Sequence, residues 1–376
     1  MIFRSVSIPT LLKPNKVLIL YGPRQVGKTT LVRHYLSQAP EFPGGVIEKT
    51  GDDIPFANTL AQCDLHYLRS TIAPESLLVI DEAQRIPNIG RALKLIIDNI
   101  AGVQVIVTGS SSFDLLQSTG ESLTGRKTVA TLFPVSVQEA LSQVSRFDLP
   151  RLLPDYVRFG MYPAVLTAKT YQEKEAIIRE LAGSYLLKDI LDFDKIKNSS
   201  KIFDVLRLLA FQVGSQVSIQ EIGTSVGVDK NTVARYLDLL EKSFVLYRLD
   251  GFSRNLRKEV SKMSKYYFFD LGIRNALIAN FNPLELRNDL GQLWENFLVM
   301  ERVKHQAYSG VSGNNYFWRT YDKKELDWVE ESGGELHGYK FKWGKTKASP
   351  PRGWLETYAE ADFRVIHPDN YLDFIT

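Results

Sequence analysis

Eight residues, Gly22-Pro23-Arg24-Gln25-Val26-Gly27-Lys28-Thr29, constrain this chain of 376 residues more than any others. They follow a continuous apolar run, Val17-Leu18-Ile19-Leu20-Tyr21, and lead through Thr30 into Leu31-Val32-Arg33-His34-Tyr35-Leu36, whose spacing is helical. An unbroken apolar run of that length reads as a parallel strand covered on both faces. The glycines let the backbone curl so that successive N–H groups and the helix N-terminus converge on one point. With a lysine and a hydroxyl at its end, the pattern G-x-x-x-x-G-K-T forms a cradle for β- and γ-phosphates. Gly22 to Thr30 is therefore expected to bind a nucleoside triphosphate, read as ATP with Mg²⁺. Lys28 supplies a point charge and the Thr29 hydroxyl a metal ligand.

A second apolar run, Leu77-Leu78-Val79-Ile80, ends in Asp81 and Glu82. Phosphoryl transfer needs a carboxylate beside the metal and a group that polarises the attacking water, and these two residues are expected in those roles in that order. A third strand, Val103 to Thr108, runs into Gly109-Ser110-Ser111-Ser112. Open α/β sheets present their ligands at that edge, so Ser110 is expected to sense the γ-phosphate, with Thr108 second; a serine run can equally cap a helix.

These segments, G-P-R-Q-V-G-K-T-T, L-L-V-I-D-E-A-Q and V-T-G-S-S-S in this order, resemble the prokaryotic AAA+ ATPases. The resemblance implies an arginine just before the fifth strand that reaches the γ-phosphate of a neighbouring subunit. Arg126 stands there, ahead of the alternating Lys127 to Phe133, and a homo-oligomer, with a hexamer as the family expectation, would follow. After the sheet, prolines at 134, 150, 154 and 163 cut the chain into short helical pieces expected as a lid. Within it Tyr156 to Pro163 is similar to the segment after the ATPase core in this family, and Arg158 is a candidate second phosphate sensor.

The formal charge of the whole chain is only +3, yet residues 195–265 hold thirteen Lys/Arg against seven Asp/Glu, an excess of +6. The basic footprint is local. Inside this block Ser218-Ile219-Gln220-Glu221 reads as a capping box, Gly227-Val228-Asp229 as a turn and Lys230 to Glu241 as a second amphipathic helix. Two strand-like runs, Phe244 to Leu249 and Ser264 to Phe269, flank a loop with Arg254, Arg257 and Lys258, which suggests a winged helix. If it reads DNA, Lys230, Asn231, Thr232 and Arg235 would enter the major groove while the wing touches phosphate. The alternative is a winged helix used for protein contact.

Towards the C-terminus, a helix with Glu295, a strand leading to Asp327 and a strand with Lys340 and Lys342 resemble the PD-(D/E)xK nuclease fold found at the end of this ATPase family, and Phe269 to Arg274 resembles the uncharacterised domain that follows the ATPase in the same family. One residue departs from the pattern. Lys340 stands where that resemblance implies Glu, and a cation there opposes a metal ion that carboxylates are needed to hold. The nuclease is expected to be inactive.

A chain of this length exceeds the roughly 250 residues at which single cores stop growing. Its expected architecture is α/β: a P-loop NTPase parallel sheet (1–133) with a helical lid (134–194), a winged-helix domain (195–275) and an α/β nuclease-like domain (276–376). A single cysteine, Cys63, excludes an intramolecular disulfide and reads as a packing residue. No run approaches the ~20 apolar residues of a membrane span, so a cytoplasmic location is expected. The expected activity is Mg²⁺-dependent ATP hydrolysis coupled to work on DNA. A regulatory NTPase switch with a protein partner is the alternative.

Overall fold

The computed structural model describes residues 2–109, 123–185, 199–254, 263–311, 313–344 and 349–376; Ser110, Arg257 and Lys258 lie outside them. The chain divides into two units, Arg4–Phe133 with Lys242–Phe244, and the remainder.

In the first unit, the apolar run becomes β1 (Val17–Tyr21), whose first four residues are at most 1% exposed. With β2 (Val46–Thr50), β3 (Leu77–Asp81), β4 (Gln104–Gly109) and β5 (Lys127–Thr131) it forms a wholly parallel sheet in the order β2-β3-β4-β1-β5. β4 thus stands between the strand that feeds the loop and the strand that ends in Asp81. Helices α1 (Lys28–Leu36), α2 (Ile54–Ala61), α3 (Leu65–Thr71) and α4 (Ile89–Asn99) make the crossovers from β1 through to β4. α4 buries Ile89, Ala92, Leu93, Ile96 and Ile97, an i, i+3, i+4, i+7, i+8 stripe, in one core with Val17, Ile19, Leu78, Ile80, Val105 and Val107. Each large aliphatic side chain so buried contributes about 1.5–3 kcal/mol. Cys63 packs half-buried against the same core.

The second unit begins with α5 (Val137–Ala140), α6 (Leu149–Phe159) and α7 (Tyr171–Glu180). These are the pieces expected as a lid on the ATPase core, and they group instead with the C-terminal half. The reason is a set of buried polar ties. Glu301 accepts the Val137 N–H at 2.6 Å, and Asn275 donates to Val157 O and Arg158 O at 3.0 and 2.9 Å.

Next come α8 (Ser199–Phe211), β6 (Gln216–Val217), α9 (Ile219–Val226), α10 (Lys230–Lys242), β7 (Leu246–Gly251) and β8 (Ser264–Phe268), with β6, β8 and β7 forming an antiparallel ribbon. Ser218 accepts the Glu221 N–H and caps α9, and Gly227, at φ 74°, ends it. α11 (Leu271–Leu277) and α12 (Leu290–Ser309) follow, then β9 (Asn314–Arg319), β10 (Glu325–Ser332), β11 (Glu335–Phe341) and β12 (Asp362–Ile366). β7 pairs in parallel with β9 through Asp250↔Tyr316 and Gly251↔Phe317, giving one seven-stranded sheet, β12-β11-β10-β9-β7-β8-β6. The boundary expected at 275/276 therefore runs through a continuous ladder of hydrogen bonds.

The Phe269 to Arg274 motif has a structural role here. Asp270, fully buried, caps α11 through Gly272 N and Ile273 N and accepts Met161 N–H at 2.7 Å. Arg274 and Arg287 converge on Asp289 at 2.5 and 2.7 Å, and Arg274 also donates to Ala210 O. One network thus pins the ends of α6, α8, α11 and α12. Arg158, read as a candidate phosphate sensor, is used in packing: it donates to Phe281 O at 3.0 Å and lies over the rings of Phe159 and Tyr171 at 4.8 and 5.1 Å.

Candidate functional site

The loop between β1 and α1 depends on left-handed backbone at Gly22 (φ 147°), Gln25 (φ 59°) and Gly27 (φ 96°). At Gly22 a Cβ would stand 2.1 Å from Leu132 O, so only glycine fits where the chain leaves β1 beside β5. α1 then starts at Lys28, with Leu31 N–H on Gly27 O at 2.9 Å. Arg4, 8% exposed, braces the loop from behind by donating to Val26 O and Phe133 O. Sequence reading missed this residue, since a lone arginine near the N-terminus carries no pattern. The Lys28 ammonium is drawn onto the loop carbonyls, donating to Gly22 O at 2.8 Å and Pro23 O at 2.7 Å.

Although β4 separates the two strands, the side chains of Thr29 and Asp81 meet: the threonine hydroxyl donates to Asp81 Oδ2 at 3.0 Å. The other carboxylate oxygen accepts from the Thr108 hydroxyl and, at 3.1 Å, from Glu82 N–H. Thr108, the second choice for a phosphate sensor, is 1% exposed and bound directly to Asp81. Glu82 adopts left-handed backbone (φ 50°), and its carboxylate accepts from Gln84 at 2.6 Å. A pocket of 300 Å³ opens beside this group, with Arg33, Lys49 and Asp53 on its walls together with Thr29, Asp81 and Thr108. The donors are hard oxygens, a hydroxyl and a carboxylate, which suit Mg²⁺ better than a soft metal.

Arg126 lies at the other end of the sheet. Its carbonyl accepts Val17 N–H at the start of β1, whereas the loop follows the end of β1, and its guanidinium pairs with Asp98 at 2.8 Å, both partly exposed. It is not brought together with the phosphate loop of its own chain.

In the second unit, Lys230, Asn231 and Arg235 are exposed at the start of α10, and Thr232 is half-buried. Asp229 takes the first N–H groups of this helix, accepting from Asn231 N and Thr232 N at 2.9 and 3.0 Å and from the Thr232 hydroxyl at 2.6 Å. The hydrogen bonds from Thr232 hold its carboxyl below the usual range. Arg254 is paired with Glu331 at 2.6 Å.

Of the four residues read as a nuclease remnant, Glu295, Asp327 and Lys340 converge, with additions, and Lys342 does not join them. One oxygen each of Glu295, Glu325 and Asp327 lies within 4.8 Å of the others. Lys340, one step beyond the Trp328↔Tyr339 pair, contacts Asp327 Oδ1 at 2.5 Å, and Phe341 N–H donates to Oδ2 at 2.7 Å. Lys265 of β8, 1% exposed, donates to Glu295 at 3.0 Å and Glu325 at 2.6 Å, and Tyr267 donates to Glu295 at 2.7 Å. Burial and the neighbouring Glu295 push the Asp327 carboxyl up to about 7. Lys342 lies past the end of β11, and its ammonium makes no hydrogen bond or ion pair among the described residues. Glu325 was legible in principle, because positions i and i+2 of a strand share a face with Asp327. Lys265 was not, because it comes from a strand 60 residues away.

Three segments match known families: residues 14–141 an AAA domain, residues 150–284 a domain of unknown function (DUF8612) and residues 290–368 another (DUF4143). An uncharacterized protein of Mycobacterium tuberculosis is 28% identical over 329 residues, covering 87% of this chain and 70% of that protein. An uncharacterized protein of Methanocaldococcus jannaschii is 22% identical, covering 84% and 72%. One of Haemophilus influenzae is 25% identical, covering 85% and 80%. The AAA match on a sheet with this loop supports an ATPase of the AAA class. Among the described residues, no helix is long and apolar enough to cross a membrane.

Proposed function

We propose that this protein hydrolyses ATP with Mg²⁺ and couples the cycle to work on DNA in the cytoplasm, with an inactive nuclease-like part at its C-terminus. The observation that carries the ATPase reading is the line Thr29–Asp81–Thr108 in front of a loop held in left-handed backbone. Lys28, held by the carbonyls of Gly22 and Pro23, would turn to the phosphates of a bound triphosphate. Thr29 and Asp81 hold the metal, Thr108 orients Asp81, and Glu82 polarises the attacking water once its contact with Gln84 loosens. Charge neutralisation at the β- and γ-phosphates is the chemistry Mg²⁺ supplies there when bound.

The DNA reading rests on the basic excess in residues 195–265 and on exposed Lys230, Asn231 and Arg235 at a helix start, in a helix and ribbon order that resembles a winged helix. One observation favours the second reading, a regulatory switch with a protein partner: Arg254 is engaged by Glu331 and Thr232 by Asp229, so two of the intended phosphate or base contacts are already used.

ATPase rate measured with and without a panel of duplex, single-stranded and branched DNAs decides between them. Stimulation by DNA that fades as salt rises supports DNA work, since phosphate contacts release counterions. A slow rate indifferent to every DNA favours the switch. In the same assay Lys28→Ala is expected to lose nucleotide binding, and Glu82→Gln to retain it with turnover reduced about 100-fold or more.

A further inference from the structure

Three carboxylates whose oxygens lie within 4.8 Å of one another cannot all stay ionised without a cation between or beside them. In this chain cations are supplied from within. Lys265, 1% exposed, reaches Glu295 and Glu325, and Lys340 reaches Asp327. The second contact was foreseeable from Lys340 standing in a carboxylate's place. The first is independent of it, because Lys265 comes from β8, on the far side of β7 and β9 in the sheet order. Its ammonium also lies 5.3 Å from the centre of the Phe317 ring, which leaves little room for water around the charge.

We propose that Lys265 is a built-in counter-cation occupying the place of a divalent ion in this cluster, and that it, as much as Lys340, makes the centre metal-free. The consequence is specific. Returning a carboxylate at position 340 adds a fourth acidic group and removes one cation, but Lys265 still holds two of the oxygens that a metal would need. Lys340→Glu alone therefore does not confer metal binding, while Lys340→Glu with Lys265→Met does. The proposal rests on the reading of this part as a degenerate nuclease. Mg²⁺-dependent cleavage of DNA by the unmodified protein would sink that reading whatever the metal-binding result.

The test uses nucleotide-free full-length protein titrated with Mn²⁺, with free ion followed by its paramagnetic resonance signal. Unmodified protein, Lys340→Glu, Lys265→Met and the double variant are each compared with their Glu295→Gln counterparts. The expected result is Glu295-dependent binding in the double variant with a dissociation constant below about 1 mM, typical of weak oxygen-ligand sites. The unmodified protein and Lys340→Glu are expected to bind at least about tenfold more weakly. A folded double variant without Glu295-dependent binding overturns the proposal, and so does Lys340→Glu binding as tightly as the double variant. Should the double variant fail to fold, by circular dichroism, Lys340→Glu decides alone: Glu295-dependent Mn²⁺ binding below about 1 mM refutes the role of Lys265, and its absence supports it.

Discussion

Asp289 holds a carboxylate between two guanidiniums, Arg274 and Arg287, that are almost wholly buried. Burial works against its charge, but the hydrogen bond from Arg287 and the charge of Arg274 outweigh it and bring Asp289 down to about 2. A carboxyl depressed in the folded state contributes stability that is fully present above its ordinary value of 3.8 and is lost as pH falls towards 2. The size is roughly 2 kcal/mol. Asp289→Asn is expected to be less stable at pH 7 and to show a flatter loss between pH 4 and pH 2, measured by urea unfolding across a pH series. An acid limb as steep as that of the parent would refute the assignment. In the nucleotide site the decisive groups are also single ones. Thr108, named second to Ser110 as a sensor of the γ-phosphate, donates to the Asp81 carboxylate, because it is the last side chain before Gly109, which pairs with Tyr21 as the loop begins.

At the level of elements, close approach of backbones limits which residues are tolerated. Where α6 ends, Gly160 has φ 79°, and a Cβ there would fall 1.9 Å from Asp270 Oδ1, an oxygen already committed to Gly272 N–H and Ile273 N–H. Left-handed backbone and overlap act together, so Gly160→Ala is expected to cost roughly 2–4 kcal/mol in urea unfolding. A loss under about 0.5 kcal/mol, the usual range of a neutral surface change, would mean that the junction of α6 with α11 is looser than described. The same logic explains the motif around Gly160 and the one from Phe269 to Arg274. They are distant in sequence and meet at one polar junction, which is a reason for both to occur in a single chain. In β10, Asp327 and Trp328 fall where the pairing with β9 shifts register, between Leu326 and Val329. The pairing with β11 keeps its register up to Trp328↔Tyr339, and one step on Asp327 stands opposite Lys340 and pairs with it.

For the whole molecule, the place of Arg126 is the informative fact. It sits at the start of β5, opposite the end of the sheet that carries the loop, so any γ-phosphate it meets belongs to another copy. A shared site gives a clear expectation. Arg126→Ala and Glu82→Gln proteins, each inactive alone, should recover ATPase activity when mixed, because some interfaces then combine an intact Glu82 with an intact Arg126. A mixture no more active than its components, under conditions where the parent assembles, would leave Arg126 as a surface ion pair with Asp98. The seven-stranded sheet adds a second point at this scale. Because β7 joins β9, helix α10 up to Glu241 and the carboxylate cluster belong to one unit.

The phosphate loop, the strand before it and the acidic pair were legible in sequence because each is local: glycine at left-handed positions, an unbroken apolar run for a strand buried on both faces, and carboxylates at a strand end. The two helices from Ser218 to Glu241 were legible for the same reason, through a capping serine at 218 and a glycine at 227, whereas the helix Ser199–Phe211 and the short strand β6 were not read. What sequence could not supply was anything that depends on residues far apart meeting in a low-dielectric interior. Arg4 behind the loop, Thr108 on Asp81, the joining of two expected domains in one sheet and Lys265 among three carboxylates all belong to that class. Local patterns report conformational preference. The partner of a buried charge is chosen by the fold, since only there does the cost of desolvation force each ion to find its counter-ion.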